Sequence, residues 1–306
     1  DSDLGKTDAI TNKIKMTNDE VIFLKQYRIP ETHLEYLKNF VNELINKKCI
    51  TVSKSPYNTP VFCVPKGKTG PDNPNPKLRF VQDFRKINEN ATTDTYMMPE
   101  IRQCIDRIGK CNAKFFSSLD LTSSFHQQVL DHDSRKYTAF QLPGYGKFEW
   151  CVSPMGFKNS PSSFQRLMDH VMHGLDFTVN YIDDCLIFSQ TFEEHIKHLQ
   201  IVFQRLQKFN LKLNLAKCKF ATNNTNYLGH TITDKGISPN LDNIKAIKRF
   251  PEPKTAKQIR EWIGLANYFR EYIPNFSLLS NPLTALLKKD ATWKNGPLPN
   301  DAKQAF

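Results

Sequence analysis

The sequence predicts an α+β fold, in which a mixed body of strands and helices precedes a smaller helical region. Short β-branched and aromatic runs bounded by Gly and Pro alternate with longer segments whose apolar residues recur every three or four positions. From about residue 237 onward, only the helical pattern continues. At 306 residues the chain exceeds the usual size of one hydrophobic core, so two or more subdomains are expected.

The N-terminal part predicts a lead-in, a helix and a hairpin. Residues 1–25 are polar and weakly patterned, so a loose lead-in is expected there. Strands are predicted at 59–65 and 78–82, and the Gly- and Pro-rich residues 66–77 between them predict an exposed hairpin tip. A helix is predicted from Glu31, because apolar residues recur on one of its faces: Leu34, Leu37, Val41, Leu44 and Ile45.

The middle of the chain predicts strands that carry acids at their ends. Residues 115–121 form an apolar run that contains Asp120, and a helix is expected from Ser123. Ser160-Pro161 predicts another helix, since Pro is favoured at the first helical position. Residues 179–189 predict two short strands joined at Asp183-Asp184. A helix at 193–209 follows, with these residues facing inward: Ile196, Leu199, Val202, Phe203 and Leu206.

The last third predicts one strand and then helices. The strand covers 226–232, and Ser238-Pro239 is expected to start a helix. Residues 255–258 form a capping box, in which Thr and Gln satisfy free backbone N–H groups at a helix start. The apolar face of the helix that follows consists of Ile259, Trp262, Ile263, Ala266 and Phe269.

The charge balance favours a polyanionic partner. The formal net charge is +11, and Lys and Arg gain free energy when they displace counterions from phosphates. A soluble basic protein without such a partner is the alternative. No run of 18 apolar residues occurs and the N-terminus is polar, so neither a membrane span nor a signal-peptide core is expected. The first residue is Asp1, which suits an excised polyprotein segment.

The cysteines and histidines do not predict a metal site. The seven cysteines are scattered without a CxxC motif, which indicates reduced, mostly buried thiols in a cytosolic protein. Two histidine pairs have i, i+3 spacing but lack a convincing third ligand nearby, so we interpret them as solvated helix edges: His170 with His173, and His195 with His198.

Three carboxylates predict chemistry at phosphorus. Adjacent aspartates disfavour a strand and repel each other, so Asp183-Asp184 within an apolar segment suggests neutralisation by a cation. An Asp-Asp hairpin turn that simply faces solvent is the alternative. Asp120, at the end of another strand, could converge with the doublet at one sheet edge. Three carboxylates there could hold two divalent ions about 4 Å apart, the arrangement that supports in-line displacement at phosphorus.

These segments resemble the reverse transcriptases, most closely those of gypsy-type long-terminal-repeat retrotransposons. Residues 181–184 are similar to the family's YxDD box, and residues 118–125 to its first catalytic motif. Further segments follow in the family's order and resemble the fingers motif, the motif before the palm helix, the primer grip and the thumb helix: residues 78–88, 154–161, 227–230 and 258–264.

The resemblance implies a right-hand polymerase fold, with an antiparallel palm sheet packed on helices. The implied subdomains are fingers with the lead-in at 1–95 and again at 126–157, palm at 96–125 and 158–236, thumb at 237–290, and the start of a connection segment at 291–306. An RNase H domain often follows in this family. No acidic nuclease-like cluster follows the thumb helices here, so that domain is expected in an adjacent part of the parent polyprotein.

The resemblance also implies residue roles. Two Mg²⁺ ions, for which Mn²⁺ can substitute, would be held by Asp120, Asp183 and Asp184, and Lys217 would protonate pyrophosphate. The incoming deoxynucleotide (dNTP) would be bound by Lys66 or Lys68, Arg79, Leu121, Phe125 and Met155; among these, Phe125 would exclude a ribose 2′-hydroxyl. The primer and template would be bound by Tyr181, Tyr227, Leu228, Gly229, His230, Lys257 and Arg260.

The implied activity is extension of a primer opposite an RNA or DNA template. It would take place in the cytoplasm within retrotransposon particles. RNA-dependent RNA polymerases usually carry Gly before the Asp doublet and leave room for a ribose 2′-hydroxyl. Tyr181-Ile182 before the doublet and Phe125 therefore disfavour that class of enzyme. The remaining alternative is a catalytically silent nucleic-acid-binding module, which would be free to lose a carboxylate; none is missing here.

Overall fold

The computed structural model describes residues 4–67 and 76–306. The helices in this part are α1 Glu31–Asn46, α2 Arg85–Asn90, α3 Ile101–Lys110, α4 Ser160–Val171, α5 Phe192–Lys208, α6 Leu241–Lys248, α7 Ala256–Asn267, α8 Phe276–Ala285 and α9 Asn300–Ala305. The strands are β1 Thr7–Asn12, β2 Ile50–Val52, β3 Val61–Pro65, β4 Leu78–Gln82, β5 Phe115–Asp120, β6 Gln128–Leu130, β7 Phe140–Leu142, β8 Gly146–Trp150, β9 Thr178–Tyr181, β10 Asp184–Ser189, β11 Lys219–Thr222, β12 Asn224–Tyr227, β13 His230–Thr233 and β14 Gly236–Pro239. The chain divides into two compact units, Asp1–Thr222 and Asn223–Phe306.

A four-stranded antiparallel sheet organises the first unit. Its strand order is β11-β5-β10-β9, and each neighbouring pair runs antiparallel. Helices α4 and α5 pack on it through a shared apolar core that includes Leu119, Phe164, Leu167, Ile187 and Val202. This arrangement agrees with the predicted antiparallel sheet packed on helices.

A second core in the first unit surrounds α1. Leu37 and Val41 of this helix are fully buried in a cluster that also contains Phe140, Trp150 and Phe157. The antiparallel hairpin of β3 and β4 and the antiparallel sheet β2-β8-β7 contribute to this cluster. From residue 4 onward, the segment before α1 is packed and not a loose lead-in, because Leu4, Ile14 and Ile22 are buried and β1 pairs in parallel with β6.

Two further expectations for the first unit are corrected. The helix expected from Ser123 is only a 3-10 turn at Ser124–Gln127, because Ser123 has a left-handed backbone with φ of 46° and β6 begins immediately afterwards. On α5, Leu199, Val202 and Leu206 are buried as predicted, whereas Ile196 and Phe203 are exposed.

The inward face of α5 also contains His195, which the sequence had placed on a solvated edge. His195 is fully buried, and hydrogen bonds between its two ring nitrogens and the hydroxyls of Ser117 (2.7 Å) and Ser189 (2.8 Å) compensate for that burial. His198 contacts the same Ser189 hydroxyl at 2.8 Å. His170 and His173 are exposed, as predicted.

The second unit is a three-stranded antiparallel sheet followed by helices. The single strand predicted at 226–232 is instead the hairpin of β12 and β13, to which β14 is added. The helix predicted to start at Ser238-Pro239 begins later, at Leu241, because Ser238 and Pro239 pair in β14 and the Asn240 side chain caps α6. Thr255 caps α7 as predicted, since its side chain accepts a hydrogen bond from the Gln258 backbone N–H. Of the predicted apolar face, Ile259, Trp262, Ile263 and Ala266 lie in a core with α8 and α9, and Phe269, which follows the end of α7, is buried.

Fewer cysteines are buried than the sequence predicted: Cys49, Cys104 and Cys185 are buried, and the other four are half-buried. All seven cysteines are free thiols. Within residues 4–67 and 76–306, no helix is long and apolar enough to cross a membrane.

Candidate active site

The three predicted carboxylates lie at one end of the four-stranded sheet. Asp184, the first residue of β10, is directly opposite Asp120, the last residue of β5, in the antiparallel ladder. Directly opposed residues project from the same face of a sheet, so these two carboxylates are neighbours. Asp183 lies in the turn before Asp184, and Ser124 Oγ donates a hydrogen bond of 3.5 Å to its Oδ2. The hairpin therefore brings together the three acids predicted from the sequence.

The turn that carries Asp183 has a strained backbone. Tyr181 pairs with Asp184, which leaves Ile182 and Asp183 as a two-residue hairpin loop. Ile182 has φ of 55°, a left-handed conformation that costs a β-branched residue on the order of 1–2 kcal/mol. Positive φ at the first loop residue only is the sign pattern of a type II′ turn. Such a conformation persists only where surrounding contacts hold it.

Gln165 of α4 provides those contacts. Its side chain is fully buried, and its Oε1 accepts a hydrogen bond of 2.6 Å from the Ile182 backbone N–H. Its Nε2 donates to the Asn180 carbonyl oxygen at 3.2 Å and to Asp169 Oδ1 at 2.9 Å. One amide therefore bridges both sides of the turn to the helix beneath it.

Electrostatic repulsion among the acids is only partly relieved. Burial, and then the nearby Asp183 and Asp120 carboxylates, raise the pKa of Asp184. Asp120 Oδ1 is buried and has no hydrogen-bond partner among the described residues. Lys217 Nζ lies 3.4 Å from both oxygens of Asp120.

This donor set fits divalent cations that prefer carboxylate oxygens, such as Mg²⁺. Burial and the clustering of three carboxylates raise the pKa of Asp184, and the single charge of Lys217 beside Asp120 offsets this repulsion only in part, so a divalent cation would find suitable acceptors here. The side chains do not already form a ligand cage: within 4–67 and 76–306, no three His, Cys, Asp or Glu side chains are arranged as metal ligands.

A cleft of about 700 Å³ connects the acids to most of the residues predicted to bind a nucleotide. Its walls include Asp120 and Asp183 together with the predicted Lys66, Arg79, Leu121, Phe125, Met155 and Lys217. Lys68, the alternative fingertip lysine, lies outside the described residues.

Two side chains in the cleft have geometries relevant to nucleotide selection. Phe125 is partly buried and packs edge-on against Phe164 of α4, with 5.6 Å between ring centroids. Arg79 Nη2 lies 3.5 Å from Met155 Sδ. A thioether sulfur is a weak acceptor, so the Arg79 guanidinium retains most of its capacity to bind phosphate oxygens.

The residues predicted to hold the primer form a turn in the second unit. Leu228 and Gly229 connect the paired residues Tyr227 and His230, and both have positive φ, 45° and 74°, the signs of a type I′ turn. Tyr227 and His230 are buried, and the two turn residues are partly exposed. Tyr268 Oη donates a hydrogen bond of 2.8 Å to the Leu228 carbonyl oxygen, which ties the turn to the end of α7.

The other residues predicted to bind primer or template occupy separate places. Lys257 and Arg260 are exposed on α7, away from its buried Ile259. Tyr181 is the last residue of β9, opposite Asp184 in the first unit.

Sequence reasoning missed Gln165 and Ser124, both of which contact the turn that carries Asp183. Gln165 had a detectable signal, because it is a polar residue beside Phe164, Leu167 and Met168 on the apolar face of a predicted helix. Ser124 had none, since its contact depends on the 3-10 turn.

The comparisons with known proteins agree with this geometry. The family model described as reverse transcriptase (RNA-dependent DNA polymerase) matches residues 64–232, more than half of the chain. The chain belongs to the reverse transcriptase family. The retrovirus-related Pol polyprotein from transposon 297 of Drosophila melanogaster is 39% identical over 92% of this chain and 26% of its own length. The Pol polyprotein from transposon gypsy of the same species is 35% identical over 92% of this chain and 27% of its own length.

The relatives place this reverse transcriptase domain among the gypsy-type retrotransposon Pol polyproteins, as its motifs predicted. The Tf2-3 polyprotein of Schizosaccharomyces pombe is 33% identical over 91% of this chain and 20% of its own length. The chain thus spans about a quarter of the length of the curated relatives it matches.

Solved structures confirm the reverse transcriptase fold. A foamy viral protease–reverse transcriptase in complex with double-stranded DNA has a TM-score of 0.87 at 24% identity, over 99% of this chain and 52% of that one. The same viral protein in complex with an RNA/DNA hybrid has a TM-score of 0.82 at 24% identity, over 100% of this chain and 40% of that one. At this identity the likeness concerns the fold alone.

Proposed function

We propose that this reverse transcriptase domain is a DNA polymerase that extends a primer 3′-end with dNTPs opposite an RNA or DNA template. The observation that carries the proposal is the placement of Asp120, Asp183 and Asp184 at one sheet end, next to a cleft lined by Arg79 and Lys66. A silent binding module has no need for three clustered carboxylates, whose burial and mutual repulsion raise the pKa of Asp184.

In the proposed reaction, Asp120, Asp183 and Asp184 would hold two Mg²⁺ ions. When bound, these ions would lower the pKa of the primer 3′-hydroxyl and stabilise charge on the leaving pyrophosphate. The primer oxygen attacks the α-phosphorus, its proton is lost to solvent, and the bond from the α-phosphorus to the bridging oxygen breaks. Lys217 Nζ, 3.4 Å from Asp120, donates a proton to the departing pyrophosphate.

The other cleft residues position the nucleotide in this proposal. Arg79 binds triphosphate oxygens through its planar guanidinium fork, with Lys66 as a further cation. Leu121 and Met155 contact the nucleotide by packing, and Phe125 fills the space that a ribose 2′-hydroxyl would need.

The proposed partner is an RNA/DNA or DNA/DNA primer-template. The formal charge of +11 supports a polyanionic partner, and related viral proteins have been solved with double-stranded DNA and with an RNA/DNA hybrid. In the second unit, the Leu228–Gly229 turn contacts the primer end, and exposed Lys257 and Arg260 contact the duplex backbone. Tyr181, beside the acids, contacts the primer terminus.

The proposed setting is a cytoplasmic retrotransposon particle, with an RNase H domain adjacent in the parent polyprotein. The gypsy-type polyproteins that the chain resembles support this proposal.

Primer extension on poly(rA)/oligo(dT) with Mg²⁺ tests the activity. Wild type should extend the primer, and Asp183→Asn should abolish extension while leaving primer-template binding intact. Asp133→Asn is the matched control, because that carboxylate is 97% exposed and lies away from the cleft. A wild-type chain that binds the primer-template tightly but extends nothing with Mg²⁺ or Mn²⁺ would favour the silent binding module.

A further inference from the structure

Two cysteines face each other across a pair of strands in the first unit. Ile50 of β2 is directly opposite Trp150 of β8 in the antiparallel ladder, and one step further along lie Cys49 and Cys151. The Cys151 backbone N–H donates a hydrogen bond of 2.8 Å to the Cys49 carbonyl oxygen, so the ladder continues through this pair. Directly opposed residues project from the same face of a sheet, which places both thiols on one side.

The spacing of this pair suits a disulfide. In a hydrogen-bonded antiparallel pair the two Cα atoms are about 5.5 Å apart, and disulfides join Cα atoms about 4.4–6.8 Å apart. Both residues are free thiols, and Cys49 Sγ makes only a weak contact of 3.7 Å with the Lys47 carbonyl oxygen. Rotation of the side chains is therefore sufficient to close the pair without a change in strand register.

The two thiols differ in accessibility. Cys49 is fully buried in the apolar core around α1, whereas Cys151 is half-buried. A soluble oxidant therefore reaches Cys151 first. Cys49, directly opposite, is placed to react with the oxidised sulfur.

A cationic group favours oxidation at Cys151. Burial raises the pKa of Cys151, and the charges of Arg135 and Lys6 oppose that rise. Arg135 Nε is a buried donor that has no hydrogen-bond partner among the residues that the structure describes. Because buried polar atoms are nearly always paired, this donor is available to a thiolate or to the oxygen of a sulfenic acid.

We propose that Cys49 and Cys151 form a redox-sensitive pair, which a hydroperoxide converts into a cross-strand disulfide. The Cys151 thiolate attacks one oxygen of hydrogen peroxide and the O–O bond breaks, which leaves a sulfenic acid and a hydroxide that takes up the thiol proton as water. The Cys49 sulfur then attacks the sulfenic sulfur. The S–S bond forms, the S–O bond breaks, and the hydroxyl group leaves with the Cys49 proton as a second water. Two electrons pass from the thiols to the peroxide, and a thiol reductant reverses the change.

The disulfide would fasten the segment after α1 to the end of β8. It closes a loop of about 100 residues, and restricting so long a loop in the unfolded chain favours the folded state. Oxidation therefore stabilises the first unit, and reduction removes that stabilisation. This inference goes beyond the proposed polymerase function and does not depend on it.

Mass spectrometry and thermal unfolding of the chain, before and after treatment with hydrogen peroxide, test the pair. Oxidised wild type should lose two hydrogen atoms, and peptide mapping without reductant should recover a linked pair of peptides that contain Cys49 and Cys151. The unfolding temperature should rise by at least about 5 °C and return to its original value with dithiothreitol.

Variants assign the linkage to these two residues. Cys151→Ser should abolish both the linkage and the rise in unfolding temperature, and so should Cys49→Ala. The matched controls are Cys111→Ser, which removes another half-buried thiol, and Cys104→Ala, which removes another buried one. Both controls should keep the linkage. Cys151→Ser changes a half-buried position, so it decides the matter should Cys49→Ala fail to fold.

Three results overturn the inference: no disulfide in oxidised wild type, a linkage between other cysteines, or a Cys49–Cys151 linkage without a reversible rise in unfolding temperature. None of these measurements uses primer extension. Failure of this inference is therefore distinguishable from failure of the proposed function.

Discussion

Replacing Gln165 with leucine should weaken catalysis without removing any catalytic group. Leucine keeps the approximate size of the buried side chain but loses the acceptor for the Ile182 N–H (2.6 Å) and the donor to the Asn180 carbonyl oxygen (3.2 Å). Leaving one buried backbone N–H unpaired costs about 1–3 kcal/mol. The left-handed Ile182 stores on the order of 1–2 kcal/mol, which favours relaxation of the turn once the clamp is gone.

The cost of the unpaired N–H, about 1–3 kcal/mol, is comparable to the strain of about 1–2 kcal/mol stored at Ile182. A change in the turn that relieves both is therefore favourable. The turn should therefore shift, and Asp183 and Asp184 should move with it. A displacement on the order of 1 Å in a catalytic group lowers kcat roughly 100-fold. The KM for dNTP should change little, because Arg79 and Phe125 lie on other elements of the cleft.

Steady-state primer extension together with thermal unfolding measures both consequences. Gln165→Leu should unfold at a lower temperature than wild type and show a reduced kcat. Gln207→Leu, the same replacement at an exposed position of α5, should change neither. A folded Gln165→Leu enzyme that retained wild-type kcat would refute the idea that this amide holds the catalytic turn.

Three further predictions follow from other contacts. Burial lowers the pKa values of His195 and His198 below the unfolded value near 6.5. In acid the unfolded chain therefore binds more protons than the folded chain. The contribution of these histidines to the free energy of unfolding, measured in urea, should be complete above pH 6.5 and should decrease as the pH falls below it. A flat profile between pH 5 and 7 would contradict this. Gly229→Ala would place a Cβ 3.2 Å from the Tyr268 ring, on a residue whose φ is 74°. The free energy of unfolding should therefore fall by about 1–2 kcal/mol, and primer-template affinity measured by fluorescence anisotropy should decrease. Unchanged affinity and stability would contradict this prediction. Phe125→Ala should raise the ratio of UTP to dTTP incorporation at least about tenfold, whereas an unchanged ratio would remove the steric role of this ring.

The predictable part of the site consists of residues within continuous segments. Asp120 and the Asp183-Asp184 doublet were identified because an acid at the end of an apolar strand, or between two apolar strands, is unusual within its own segment. The hairpin of β3 and β4 and helices α1, α4 and α7 were predicted for the same reason. Periodicity along one element reports which face is apolar without knowledge of its neighbours.

The remaining part depends on contacts between segments distant in sequence. Ser117 and His195 are 78 positions apart, and only the packing of α5 on the sheet makes a buried pair of them. The 226–232 segment contains no Asn-Gly or Asp-Gly signal, so its sequence predicts one continuous strand where the structure has a turn at Leu228-Gly229.

The sequence by itself determined the family, the fold class and the identity of the three acids, because those properties reside in ordered motifs and in local alternation of apolar and polar residues. Only the tertiary structure decided that Gln165 clamps the turn that carries Asp183 and that Cys49 and Cys151 face each other across two strands. Whether a buried polar atom is satisfied depends on helix rotation and strand register, which bring partners from separate segments within about 3 Å, and no single segment encodes that distance.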